Sequence, residues 1–204
     1  MLRAFGKART KLRKADLNSP GNSGVKAGEK SREDFYETQA RMVGEILNEP
    51  MEIIRERTER LIYRGWEPLF KKIRLFSHVK ETLDAFKGIG IKLGLLSDFP
   101  PETKLQNLGL ERYWDAVVCS ELTGHLKPDA APFLELARRM KMPADKILYV
   151  GNSVSYDIEG SRNAGMKTAL IQPGWKKHSS RGRRRGGADF IFSDYRQLRD
   201  YVLG

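Results

Sequence analysis

Five short apolar runs constrain this chain more than any other feature. They are 92–96 (KLGLL), 116–119 (AVVC), 147–150 (ILYV), 167–171 (KTALI) and 189–192 (DFIF). Helical segments lie among them: 78–86, 103–108, 131–140 and the stretch after Asp157. Short strands alternating with helices imply a parallel sheet with helices on both faces. Such a sheet gathers its ligand-binding residues at the carboxyl ends of its strands.

The first 75 residues follow a different grammar. Residues 2–16 are helix formers broken only by Gly6. Residues 18–31 (NSPGNSGVKAGEKS) have almost nothing to bury and read as a flexible loop. From 32 to 47 the pattern is helical, with Phe35, Ala40, Val43 and Leu47 near one face. A further helix is predicted over 50–62. Pro50 starts it, and Ile53, Ile54 and Leu61 are its candidate core positions. Residues 63–75 read as a connector. The expected organisation is a small helical unit over 1–75 and an α/β core over 76–204.

At 204 residues and 40% hydrophobic, the chain can bury a full core. No apolar run approaches the length of a membrane span. No apolar stretch follows the basic N-terminus as in a secretory signal. The cytoplasm is therefore the expected compartment. Cys119, the single cysteine, sits in an apolar run and reads as a small buried hydrophobe. The net charge of +11 suggests a nucleic-acid partner. Its location weakens that reading. Residues 1–14 and 176–185 carry six Lys/Arg each and no acid, so the remainder sums to −1. The two patches read as a solvated helix face and a solvated loop.

Three strand ends carry polar residues. Ser97-Asp98 follows KLGLL, Lys127 lies in GHLKPDAAPF, and Asn152 and Asp157 follow ILYV. Singly, these are a turn serine, a surface lysine and a helix N-terminal acid. Together they sit on one edge of one sheet. A hydroxyl and backbone N–H groups can hold a phosphoryl oxygen. An ammonium can neutralise a phosphate or a nucleophilic carboxylate. The pair Asn152 and Asp157 can hold or orient Mg²⁺ with its waters.

Over about residues 75–200 these segments resemble the haloacid dehalogenase-like (HAD) superfamily, whose commonest members are magnesium-dependent phosphatases. LGLLSDFP resembles the second family motif, LKPDAAPF the third, and VGNSVSYDIEGSRNAGM the fourth, metal-holding one. The resemblance implies a Rossmann-like, three-layer α/β/α fold with a parallel sheet, in which the helices before residue 75 act as a cap. It implies catalytic roles for Ser97 and Lys127, phosphate binding by Ser97, Asp98 and Lys127, and Mg²⁺ binding by Asn152 and Asp157. The implied substrate is a small phosphomonoester, with no membrane partner.

The chain departs from the family in two places. The first motif, an apolar strand ending in Asp-x-Asp, is not found before residue 75, and the nucleophile maps onto no residue. Asn152 stands where an acid is usual, which lowers the expected metal affinity. The absent strand would be the central one, between the runs at 92–96 and 147–150. Each backbone group left without a partner there costs roughly 1–3 kcal/mol. Several such groups rival the ~5–15 kcal/mol stability of a whole domain. The expectation is a start assigned too late, with the Asp-x-Asp segment upstream and the chain as written inactive. The alternative is a non-catalytic relative that binds nucleic acid or another anionic partner through its basic patches.

Overall fold

The computed structural model describes residues 1–17, 32–172 and 187–204. The loop expected over 18–31 and the basic loop over 176–185 lie outside these residues.

Among the described residues four helices precede the sheet: α1 (Leu2–Leu17), α2 (Arg32–Leu47), α3 (Met51–Thr58) and α4 (Glu67–Phe70). A wide π turn over Glu59–Tyr63 extends α3. Ala4, Phe5 and Ala8 of α1 recur at helical spacing and bury against Ala40 and Val43 of α2 and Ile54 of α3. Pro50 directly precedes the first residue of α3. Two expected core positions do not hold. Ile53 and Leu61 are 42% and 44% exposed, whereas Ile54 and Ile62 are fully buried. The π turn explains the second shift. Its wider winding moves the inward face on by about one position, from Leu61 to Ile62.

The remainder forms the predicted α/β layers. In chain order these are α5 (Val79–Gly88), β1 (Gly94–Ser97), α6 (Glu102–Leu108), β2 (Ala116–Cys119), α7 (Ala131–Met140), β3 (Leu148–Gly151), α8 (Glu159–Asn163), β4 (Lys167–Ile171), β5 (Phe190–Phe192) and α9 (Tyr195–Leu203). Every strand pair is parallel. One face buries Phe133, Leu136 and Met140 of α7 against Val118, Ile147 and Tyr149. The other buries Val79, Leu83, Phe86, Leu105 and Leu198 against Leu93, Ala169, Ile171 and Phe192. Cys119 is buried, as expected. Burial and the charge of Glu121 push its thiol pKa up to about 12, which keeps it unreactive.

Among the described residues the sheet is in two pieces. β1 pairs with β2, and β3 with β4 and β5, but no ladder joins β1 to β3. The pieces nevertheless share both cores. Leu96 of β1 borders the core that buries Tyr149 of β3, and Leu95 of β1 borders the same opposite core as Leu148 and Val150 of β3. They are therefore two parts of one layer. Burial marks the line between them. All four residues of β1 are half-buried, as are Leu148, Val150 and Gly151 of β3, whereas Thr168 to Ile171 of β4 are buried. Among the described residues, no helix is long and apolar enough to cross a membrane.

Candidate active site

The carboxyl ends of β1, β2 and β3 bring the predicted residues to one edge. β1 ends at Ser97, whose Oγ accepts from the Phe99 N–H at 3.3 Å and shapes the turn. The hydroxyl proton has no acceptor among the described residues, so it is available to a ligand oxygen. Asp98 follows. Lys127 lies in the loop between β2 and α7, and its Nζ donates to Asp157 Oδ1 at 2.7 Å. Asp157 lies in a π turn (Val154–Ile158) that leads from β3 into α8. Its Oδ2 accepts from the backbone N–H groups of Asn152 and Ser153 at 3.1 and 3.0 Å. The glycine at the end of β3 is required here. A Cβ on Gly151 would lie 2.2 Å from that of Asp157.

The electrostatics tie these groups into one unit. Burial works against the charge of Lys127, but Tyr149, Asp157 and Asp98 outweigh it and hold its pKa well above the ordinary lysine value. Burial likewise opposes ionisation of Asp98, but Lys127 and Arg13 hold its carboxyl below the usual range. Lys127 is thus a fixed cation that donates to Asp157 and feels the charge of Asp98. Such a cation can neutralise a transferring phosphoryl group and cannot itself exchange a proton near neutrality.

Sequence reasoning missed several neighbours. Residues 1–14 are not simply a solvated basic face. Arg13 donates to Asp98 Oδ2 at 2.7 Å and to the Lys127 carbonyl, and lies 4.4 Å from the Tyr156 ring centroid. Arg9 is buried and pairs with the fully buried Glu121, whose other oxygen accepts from the Tyr36 and Tyr63 hydroxyls. The available signal was spacing. Arg9 and Arg13 are four apart and flank the apolar positions Ala8 and Leu12, so they share the inward face. Tyr149 was also missed. It lies within the apolar run itself and influences Lys127 from the β3 side.

Oxygens suited to Mg²⁺ are present in a limited set. Asp98 Oδ1 is buried without a hydrogen-bond partner, and Asn152 is exposed. Both carboxylate oxygens of Asp157 are already engaged. No cluster of three His, Cys, Asp or Glu occurs among the described residues. Mg²⁺ commonly binds through one or two carboxylates plus substrate phosphate and waters, so the set fits an ion held partly by its substrate.

The chain is similar to a glyceraldehyde 3-phosphate phosphatase of Methanothermobacter thermautotrophicus, 31% identical over 137 residues, covering 65% of this chain and 61% of that protein. It is similar to a phosphoglycolate phosphatase of Salmonella typhi, 31% identical over 104 residues, covering 50% and 41%. The chain thus spans less than two thirds of each of these curated relatives. Among solved structures, the HAD phosphatase of Thermococcus onnurineus shares the fold at TM-score 0.59 and 21% identity, covering 99% of this chain and 87% of that one. The 2-haloacid dehalogenase of Pseudomonas syringae pv. Tomato DC3000 shares it at 0.60 and 22%, covering 100% and 81%. The sequence profile described as haloacid dehalogenase-like hydrolase matches residues 24–171, most of the chain and all three strand-end motifs, so the chain belongs to that family.

Proposed function

We propose that this chain carries the phosphate-binding strand ends of a magnesium-dependent phosphatase for a small phosphomonoester. The observation that carries the reading is Lys127, whose Nζ donates to Asp157 at 2.7 Å at the strand-end edge that also carries Ser97 and Asp98. In this reading the helices of residues 1–75 form a cap over the core of residues 76–204. Relatives that act on glyceraldehyde 3-phosphate and phosphoglycolate support the substrate class.

Each residue has a role in the mechanism. Ser97 donates its hydroxyl to a phosphoryl oxygen, and the Lys127 ammonium neutralises charge as the group transfers. Asp157 positions Lys127. Asn152, Asp98 and Asp157 are the residues that would hold Mg²⁺, which when bound supplies positive charge to the phosphoryl oxygens. In the reaction the family resemblance implies, a carboxylate that maps onto no residue of 1–204 attacks phosphorus, the ester P–O bond breaks, and the leaving oxygen takes a proton from solvent water. Water then hydrolyses the aspartyl-phosphate to phosphate and free carboxylate. Residues 1–204 contain no Asp-x-Asp, so this chain is expected to bind phosphate without turnover.

The test is calorimetric titration of the chain with orthophosphate in Mg²⁺, beside an assay on p-nitrophenyl phosphate. Binding that Lys127→Ala abolishes, with no hydrolysis, is expected. Failure to bind orthophosphate overturns the phosphatase reading. Hydrolysis lost in Lys127→Ala keeps that reading and refutes the expected inactivity.

A further inference from the structure

The outward face of α1 carries a row of positive charge. Arg3, Lys7, Lys11 and Lys14 are exposed there, whereas Ala4, Phe5, Ala8, Arg9 and Leu12 are buried on the opposite side. None of the exposed cations has an ion-pair partner among the described residues. We propose that this row is a docking surface for the phosphate backbone of duplex DNA. It lies on the side of α1 away from the strand-end site and is independent of the phosphatase reading.

Helix geometry makes the row straight. At roughly 100° per residue the cations fall within an arc of about 80°, and at ~1.5 Å per residue they span about 16 Å. A duplex carries one phosphate charge per ~1.7 Å of axis, so the row runs past roughly ten of them, enough on the near side to meet every cation. Access is open, since a Cβ on Gly6, beside the row, would meet nothing within 4 Å.

The row works against the helix that carries it. Arg3 and Lys7, and Lys7 and Lys11, are like charges at i,i+4, and Lys11 and Lys14 are like charges at i,i+3, an arrangement that destabilises a helix. Arg3 also stands in the first turn, where no acid offsets it and the helix dipole disfavours a cation. The neighbouring segments are built the other way. Exposed Arg41 meets Glu45, Arg60 meets Glu56 and Arg55 meets Glu37. A polyanion laid along α1 relieves a repulsion that its neighbours avoid.

Side-chain chemistry selects the polyanion. A helix that lies on an anionic membrane sinks an apolar face into it. The apolar face of α1 is buried in the core, and exposed Leu2 lies roughly 140° round the helix from the row. A protein partner would need an apolar centre to bury, and the row has none. Single strands gain from aromatic stacking, and the row carries no aromatic side chain. RNA is told from DNA through its 2′-hydroxyls. The row offers them no acceptor, and Thr10 beside it donates its own hydroxyl to the Gly6 carbonyl at 2.9 Å. A line of donors alone fits a phosphate backbone, held without regard to base sequence.

The test is fluorescence anisotropy of the full chain with a labelled duplex DNA of about two helical turns, between 50 and 200 mM NaCl. The double variant Lys7→Gln, Lys11→Gln, at exposed positions, should bind at least tenfold more weakly at the lowest salt. The slope of log K against log salt should fall by about 1.8, two contacts at roughly 0.9 each. Orthophosphate binding by the same variant should be unchanged. Failure of the native chain to bind DNA, or equal slopes for native and variant, overturns the docking surface. Replacing Arg181, Arg183, Arg184 and Arg185 with serine checks the second basic tract. If that change abolishes binding while the lysine variant matches the native chain, the assignment to α1 falls. Tighter binding to duplex RNA overturns the choice of DNA, and tighter binding to phosphatidylserine vesicles overturns the choice of nucleic acid. The phosphatase reading stands under each of these results.

Discussion

Replacing Arg9 with methionine tests how the helical part is locked to the α/β part. Glu121 is fully buried and faces Arg9 on one oxygen and two tyrosine hydroxyls on the other, at 3.1 and 3.2 Å. Burial raises its pKa even against the pull of Arg9. Methionine keeps the stem packing but leaves the carboxylate without a counter-charge. Breaking a buried ion pair costs roughly 3–5 kcal/mol, a large share of the ~5–15 kcal/mol that holds a domain together. The sign of the pH dependence follows from linkage. A carboxyl with a raised folded pKa contributes most stability below its unfolded pKa and loses it as pH rises through the folded value. Arg9→Met pushes the folded pKa further up. Its cost relative to the native chain should therefore be greatest at pH 7–8 and should shrink on acidification by up to about 1.4 kcal/mol per pH unit, until the native Glu121 is itself protonated. Urea unfolding followed by circular dichroism at pH 5, 6, 7 and 8 measures this directly. A variant that is unfolded at pH 7 should refold at pH 5. A cost below about 1 kcal/mol, or one that does not change with pH, would refute the reasoning.

Lys127→Ala leaves Asp157 buried with only its backbone donors. The expected loss is about 3 kcal/mol, or a fall in Tm of roughly 6–12 °C for a chain this long, read by calorimetry. Gly151→Ala drives a methyl group into Asp157 and should cost about 1–3 kcal/mol while also weakening orthophosphate binding, so unchanged affinity would argue against the shared geometry. The depressed pKa of Asp98 stabilises the protein above the unfolded carboxyl value of about 3.9, and that contribution is lost as pH falls through the folded value. Asp98→Asn should therefore flatten the acid limb of stability below about pH 4, as followed by circular dichroism during acid titration.

The fold and the main site residues were legible because both depend on local pattern. The runs AVVC and KTALI match β2 and β4 residue for residue, and the helices at 32–47 and 131–140 match α2 and α7. Short runs with polar ends leave little freedom of register. The C-terminal helix α9 went unread because it buries only Leu198 fully, too thin a stripe for periodicity. Its signal was the capping box from Asp194 to Gln197. Ile62 was hidden by the π turn, since no periodicity of 3.6 anticipates a wider winding. Arg9 and Arg13 were unread for another reason. Charge count describes composition, whereas their burial depends on Glu121 and Asp98, which are more than 80 residues away in sequence.

The divided sheet has a mechanical consequence. The β1–β2 piece and the β3–β5 piece share both cores and are joined by no ladder among the described residues. Packed side chains allow small shear displacements that a hydrogen-bonded ladder resists. Asp98 and Lys127 ride on the first piece, and Asp157 on the second. The Lys127–Asp157 bond is therefore a rivet across a slip plane. Its length reports the relative position of the two halves, and anything wedged along that plane retunes the charge at the strand ends without touching it.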